Sequence, residues 1–203
     1  MLNHAIWQLT ETDAEPAGAV LGRAFQDYGL FRLVLADPAE RAELVPALFV
    51  ANVRHACRYG EAWASGPAPG EIRGVIYWVD RPEPELSETE AAEIGFAELG
   101  ERWGPILEKL SAMENAAIGP LVEISPPWRY LAVVGVDPEH QGHGYGSVLV
   151  TKVVSDARAA GLPVGLATDG ARNVPLYERC GFRVIREMLA PDGETKVWTM
   201  RAD

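Results

Sequence analysis

The chain has 203 residues, a formal net charge of −11, 48% hydrophobic and 8% aromatic content, which fits one ordinary globular domain over residues 1–203 and excludes disorder as its main state. Such acidity argues against a nucleic-acid duplex or an anionic membrane surface as partner. No apolar run approaches the roughly 20 residues that cross a bilayer, no basic and apolar leader opens the sequence, and Cys57 and Cys180 lie far apart without metal-type spacing, so the expectation is a cytoplasmic protein with reduced thiols.

Residues 5–9 read as a first strand. Thr12-Asp-Ala-Glu15 then resembles a capping box before a helix whose buried stripe is Val20, Leu21, Ala24, Phe25 and Tyr28, with Gly29 as its stop. Asp37-Pro38-Ala-Glu40 opens a second helix in the same way, and Pro46 is expected to kink or split it. Residues 61–65 and 72–79 flank Gly66-Pro-Ala-Pro-Gly70 as an antiparallel hairpin. Residues 83–98 hold six acids and no Lys or Arg, which suggests one helix with a solvated acidic face, and another helix spans 103–117. The acid is concentrated early: residues 1–136 carry 20 Asp and Glu against 10 Lys and Arg, whereas residues 137–203 carry 9 against 8. A polyanion fits best beside the nearly neutral third, and a cationic small molecule beside the acidic part.

The most informative stretch runs L-A-V-V-G-V-D-P-E-H-Q-G-H-G-Y-G over residues 131–146. Residues 131–136 suit a buried strand stopped at Asp137-Pro138. Gln141-Gly-His-Gly-Tyr-Gly146 supplies three glycines in five residues, and Val148, Leu149, Val153 and Ala157 continue at helical spacing to Gly161. A strand, a glycine-rich turn and a helix N-terminus aim unpaired N–H groups and the positive end of the helix dipole at one place, and an anion is the expected guest. A P-loop would need Lys-Ser or Lys-Thr after the last glycine, and a Rossmann turn spaces its glycines G-x-G-x-x-G; neither pattern is present. Residues 164–168 form the next strand, Asn173 is the expected N-cap of a short helix closed by Gly181, and residues 182–188 and 196–200 are strands around a turn at Pro191-Asp-Gly193.

Gln141-x-x-Gly144-x-Gly146 after such a strand resembles the pyrophosphate-binding signature of the GNAT superfamily of N-acetyltransferases. Arg172-Asn173-x-Pro175-x-Tyr177-Glu178-Arg179-x-Gly181-Phe182 resembles that superfamily's second cofactor-contacting segment, in the right order. Within the superfamily the pattern is most similar to puromycin N-acetyltransferase and its relatives, strongly over residues 128–203, with weaker echoes at Ala24-Phe25-x-Asp27-Tyr28 and Phe96-Ala97-Glu98-Leu99-Gly100. One departure stands out: where those relatives often carry Leu-Glu-Thr-Ser, this chain has Leu166-Ala167-Thr168-Asp169.

The resemblance implies an α/β (α+β) fold with a mixed, mostly antiparallel central sheet and helices on both faces. It implies transfer of an acetyl group from acetyl-CoA, as co-substrate and without a metal, to a primary amine of a small, cationic molecule; a non-catalytic acyl-CoA sensor on the same fold is the alternative, and a homodimer is left open. The backbone of Val134, Gly135 and Val136 is expected on the pantetheine arm, and Gln141, Gly142, His143, Gly144, Tyr145, Gly146 and Ser147 on the pyrophosphate, with Asn173 as a further contact. Tyr177 is expected to face the sulfur as acid or hydrogen-bond donor. An amine of pKa about 10.4 is neutral in only about one molecule in 2,500 at pH 7, so a base is needed. Asp169, Glu123 and Asp27 are the candidates, with Asp169 standing in for the missing glutamate.

Overall fold

The computed structural model describes residues 4–123, 127–190 and 193–203, with the backbone alone for Val122 and Glu123. The expected turn residues Pro191 and Asp192 lie outside the described residues. Strand β1 (Ala5–Gln8) leads into α1 (Ala14–Phe25), α2 (Gly29–Val34) and α3 (Pro38–Tyr59). The hairpin β2 (Gly60–Gly66) and β3 (Gly74–Arg81) follows, then α4 (Glu88–Ile94) and α5 (Phe96–Ile118). Strand β4 (Trp128–Val136), α6 (Tyr145–Ala160), β5 (Val164–Thr168), α7 (Val174–Arg179), β6 (Arg183–Leu189) and β7 (Lys196–Ala202) complete the chain.

The seven strands form one sheet in the order β1-β2-β3-β4-β5-β7-β6, antiparallel everywhere except at β4 and β5. Successive residues of β3 face opposite layers, as the period of two requires. Val75 and Tyr77 join the cluster formed with α1 and α3, while Ile76 and Trp78 join the cluster under α6. Both faces of the sheet are therefore covered by helices, as the fold class requires, and this explains why Val75, Ile76 and Trp78 are almost wholly buried.

Several local expectations are corrected. The entry to α1 is set two residues earlier than the Thr12 box, where Thr10 N–H donates to the Asp13 carboxylate at 2.9 Å. Pro46 does not split α3, which runs through it for 22 residues. Its ring occupies space left by glycine: a Cβ on Gly22 would lie 2.5 Å from Pro46 Cγ, so close packing of α1 on α3 offsets the lost backbone bond. The acidic stretch is two helices broken at Gly95, which is left-handed at φ 101°. Its acids are used locally: Glu90 caps α4 with Ser87 and accepts from Tyr59 Oη at 2.5 Å, and Glu93 pairs with Arg58 at 2.7 Å. Gly29 opens α2 where a helix stop was expected.

Candidate active site

Strands β4 and β5 pair only through Arg129 with Val164 and Tyr130 with Gly165. Beyond that point they part, while β4 stays paired with β3 as far as Val136 opposite Gly74. The β3–β4 register slips by one residue at Tyr77/Trp78, where Ala132 has no partner, and a slip of this kind bends a strand and increases its twist. Helix α6 crosses from one of the parting strands to the other, so its N-terminus opens beside the gap. The glycine turn leads into it. Gly142 (φ 79°) and Gly144 (φ 89°) are both left-handed, a conformation that side chains resist. The first backbone bond of α6 runs from Val148 N–H to the Gly144 carbonyl at 3.1 Å, leaving the N–H groups of Tyr145, Gly146 and Ser147 without intrahelical partners.

A cleft of about 460 Å³ lies in front of these groups. Val134, Gly135 and Val136 line one wall, Gln141, Gly142, Gly144, Tyr145, Gly146 and Ser147 the turn, and Asn173 and Tyr177 the far side. Ten of the eleven expected cofactor contacts are thus brought together. His143 is the exception: exposed and outside the lining, it accepts at its carbonyl from His4 Nε2 at 2.6 Å. Gln141 braces the turn, donating from Nε2 to the Val136 carbonyl at 3.2 Å. The Tyr145 ring is packed edge-on against His4 at 5.0 Å, so its contribution to the cleft is backbone. Asn173 does not cap α7 with its side chain, contrary to expectation; its carbonyl accepts from Leu176 and Tyr177. Arg172 and Arg179 also line the cleft, adding two cations beside the helix N-terminus. Open glycine backbone, free N–H groups and guanidiniums are a fitting donor set for a pyrophosphate.

Tyr177 is buried, meets Phe182 edge-on at 5.8 Å, and lines the same cleft. Burial pushes its hydroxyl above the ordinary tyrosine range, so it stays protonated at neutral pH. Near the turn, Asp137 accepts from Arg23 Nε at 2.9 Å, tying α1 to the end of β4. Burial alone would raise Asp137, but the bonds from Arg23 and the Glu139 N–H bring it below the usual carboxylate range. Asp137, Glu139 and His140 gather within 4.8 Å, with Asp137 engaged by Arg23.

A second cavity, of about 410 Å³, shares Phe25 and Tyr28 with the first. Asp169 lines it, just past the end of β5. Its carboxylate accepts from the Leu30 N–H at 3.2 Å, and Tyr28 Oη accepts from the Asp169 N–H at the same distance. Burial raises Asp169 above the ordinary aspartate range, and hydrogen bonds from Tyr28 and the Leu30 N–H offset part of that rise. Gly29 makes the approach possible: a Cβ there would lie 2.6 Å from Asp169 Oδ2. Asp27 is not brought to either cavity; its side chain is 80% exposed and pairs with Arg41 at 3.5 Å. The side chain of Glu123 lies outside the described residues.

Residues 88–182 match the model of the Acetyltransferase (GNAT) family. The matched stretch covers just under half of the chain and includes the glycine turn and the Asn173–Phe182 segment. Over 98% of its length the chain matches a Corynebacterium glutamicum structure described as histone acetyltransferase HPA2 and related acetyltransferase, with TM-score 0.70, 20% identity and 95% of that chain covered. It is similar also to an agmatine N-acetyltransferase (TM-score 0.64, 19% identity, 98% of each chain). Arylalkylamine N-acetyltransferase 2 from Aedes aegypti gives TM-score 0.62 at 16% identity, covering 98% of each chain. At these identities the likeness establishes the GNAT fold, whose mixed sheet and covering helices agree with the architecture above.

Sequence reasoning left out Arg172 and Arg179 as cleft residues, although both lie within the quoted second segment. It also missed Tyr28 as the partner of Asp169, and the far wall of the second cavity, where Asn52, Glu114 and Tyr130 converge from α3, α5 and β4. No local pattern connects those residues, since they meet only through the fold.

Proposed function

We propose that the protein transfers an acetyl group from acetyl-CoA to the primary amine of a small molecule. The observation that carries this reading is the meeting of two unlike cavities at Phe25 and Tyr28, one backed by the glycine turn and the other holding the half-buried carboxylate of Asp169. The GNAT match over residues 88–182 supports acyl transfer, and structural neighbours described as agmatine, arylalkylamine and polyamine N-acetyltransferases support an amine acceptor. A module that only sensed acyl-CoA would have no use for the second cavity.

The cosubstrate supplies an activated thioester. The chain's part is to hold it and to manage protons. The N–H groups of Tyr145, Gly146 and Ser147, with Arg172 and Arg179, would hold the pyrophosphate; the unpaired edge of β4 at Val134 and Val136 would hold the pantetheine arm. An acceptor with pKa about 10.4 needs roughly 4.6 kcal/mol to be deprotonated at pH 7. Asp169 takes that first proton, directly or through water. A second proton leaves the nitrogen as the C–N bond forms and the C–S bond breaks, and it ends on the sulfur. Tyr177 steadies the departing sulfur by donating a hydrogen bond; because its hydroxyl is raised, full proton transfer from it is uphill. The resemblance to puromycin acetyltransferases supports an antibiotic-like amine, and the Leu-Glu-Thr-Ser departure is consistent with Asp169 taking over: Ala167 and Asp169 line the same cavity, so a carboxylate is kept two residues along. A thiol-release assay with acetyl-CoA and a panel of amines tests the reading. Binding of acetyl-CoA without thiol release for any amine would overturn it in favour of a sensor.

A further inference from the structure

The second cavity has more recognition chemistry than deprotonation requires. At one end stands Asp169 with Tyr28, beside the cofactor cleft. Its middle is aromatic: Phe25 meets Phe49 at 5.0 Å, Phe31 meets Phe49 edge-on at 5.9 Å, and Phe96 joins the same lining. At the other end, Tyr130 Oη donates to Glu114 Oε1 at 2.8 Å. The Arg81 guanidinium lies 5.2 Å over the Tyr130 ring and makes its ion pair with Glu83. Among the described residues no cation pairs with Glu114. A carboxylate offers about four acceptor sites, so Glu114 can take a further donor from a ligand.

We infer that the acceptor is a primary amine carried on an aromatic ring system, with a hydrogen-bond donor at the far side of the ring: its ammonium lies toward Asp169, its ring among the phenylalanines, and its far donor on Glu114. This rests on the acyl-transfer reading for which end reacts, and on the cavity alone for what is bound. A ring suits the middle because it buries about 150–250 Å² and prefers offset or edge-to-face neighbours, the arrangement these side chains already adopt. A linear polyamine fits less well, since an inner ammonium would lose water against the phenylalanines, and the remaining carboxylate of the lining, Glu83, is held by Arg81. The volume, about 410 Å³, is near the low end of the roughly 300–1,000 Å³ found for small-molecule sites, which suits one such amine.

The test compares 2-phenylethylamine, tyramine and 1,5-diaminopentane by thiol release at saturating acetyl-CoA, with calorimetry of each amine in parallel. Tyramine is expected to exceed 2-phenylethylamine in kcat/KM by roughly tenfold or more, the usual worth of one hydrogen bond to a charged group. Both are expected to exceed the diamine. Glu114→Ala should bring the tyramine to phenylethylamine ratio near one whatever it does to the two absolute rates, and Glu114→Gln, which keeps an acceptor for Tyr130, should fall between. Faster turnover of 1,5-diaminopentane, or an unchanged ratio in both variants, overturns the inference. If no amine is acetylated yet tyramine binds and Glu114→Ala weakens that binding, the acyl-transfer reading falls and the cavity assignment stands. If other amines are acetylated while tyramine neither binds nor reacts, the cavity assignment alone falls.

Discussion

Replacing Gly144 with Val tests the glycine turn at its most constrained point. The residue sits at φ 89°, where an L-residue costs about 1–2 kcal/mol and a β-branched one more. A Cβ there would also stand 3.2 Å from His4 Nε2. His4 cannot retreat freely, because it holds the His143 carbonyl at 2.6 Å. The turn must therefore shift, and with it the N–H groups of Tyr145, Gly146 and Ser147. Affinity for acetyl-CoA should fall at least tenfold, about 1.4 kcal/mol, by isothermal calorimetry. Gly161→Ala is the control: it is left-handed at φ 70°, has nothing within 4 Å of its Cβ, and closes the other end of the same helix. It should cost about 1 kcal/mol of stability, roughly 2–4 °C in Tm for a chain this size, and leave acetyl-CoA affinity alone. If folded Gly144→Val binds acetyl-CoA as the parent does, the turn is structural and the cofactor assignment is wrong.

Three further outcomes follow from the site. Asp169 is raised in the folded protein, so its ionisation favours the unfolded chain: its contribution to stability is present below the unfolded pKa and lost as pH rises through the folded one. Asp169→Asn should hence leave Tm at neutral pH unchanged or higher, while kcat/KM drops by roughly 10²–10⁴ and the acid limb of the pH profile, expected above about 3.9 in the parent, disappears; retained activity would remove Asp169 as base. Tyr177→Phe keeps the edge-on contact with Phe182 and deletes the donor, so kcat should fall by roughly ten to a thousandfold with acetyl-CoA affinity and Tm nearly intact; normal turnover would make Tyr177 structural. Asp137 is depressed in the folded state, so the stability it contributes is present above the unfolded pKa and lost as pH falls: Arg23→Ala should lower Tm at pH 7 by roughly 2–4 °C, a modest effect because Arg23 is half exposed, and the difference should narrow below about pH 3.9 in thermal scans.

What the sequence made legible was whatever is decided within a few neighbouring residues. The strand before Asp137-Pro138, the glycine-rich turn and the helix to Gly161 follow from local chemistry, and the fold places them as read. That Pro46 would split α3 was misread because propensity treats a helix alone, whereas here Gly22 on α1 leaves the space its ring fills. The acidic run was misread because Gly95 adopts a left-handed turn that periodicity over 83–98 does not register. Asp27 and Asp169 look equivalent as isolated carboxylates. Only the fold separates them, sending one to solvent beside Arg41 and the other into a cavity through the gap at Gly29. Glu114, Tyr130 and Asn52 had no common signal, since their convergence depends on three elements far apart in the chain.

The proposed reaction draws on the cavity's apolar character twice. Direct proton transfer from an ordinary ammonium near 10.4 to an ordinary aspartate near 3.9 spans about 6.5 units, roughly 9 kcal/mol, too much for one step to be efficient. Burial acts on both partners in the same direction. It raises Asp169, as found, and among the phenylalanines it would lower the amine, because low polarity disfavours each charged form. Each unit gained on either side removes about 1.36 kcal/mol from the mismatch. Tyr28 limits how far this goes, since its hydrogen bond to Asp169 stabilises the carboxylate and holds it in place. Tyr28→Phe would therefore raise Asp169 further and move the acid limb of kcat/KM upward, while also loosening the wall shared by the two cavities. The upward shift is the distinguishing readout: loss of packing alone would lower activity at every pH and leave the limb where it was.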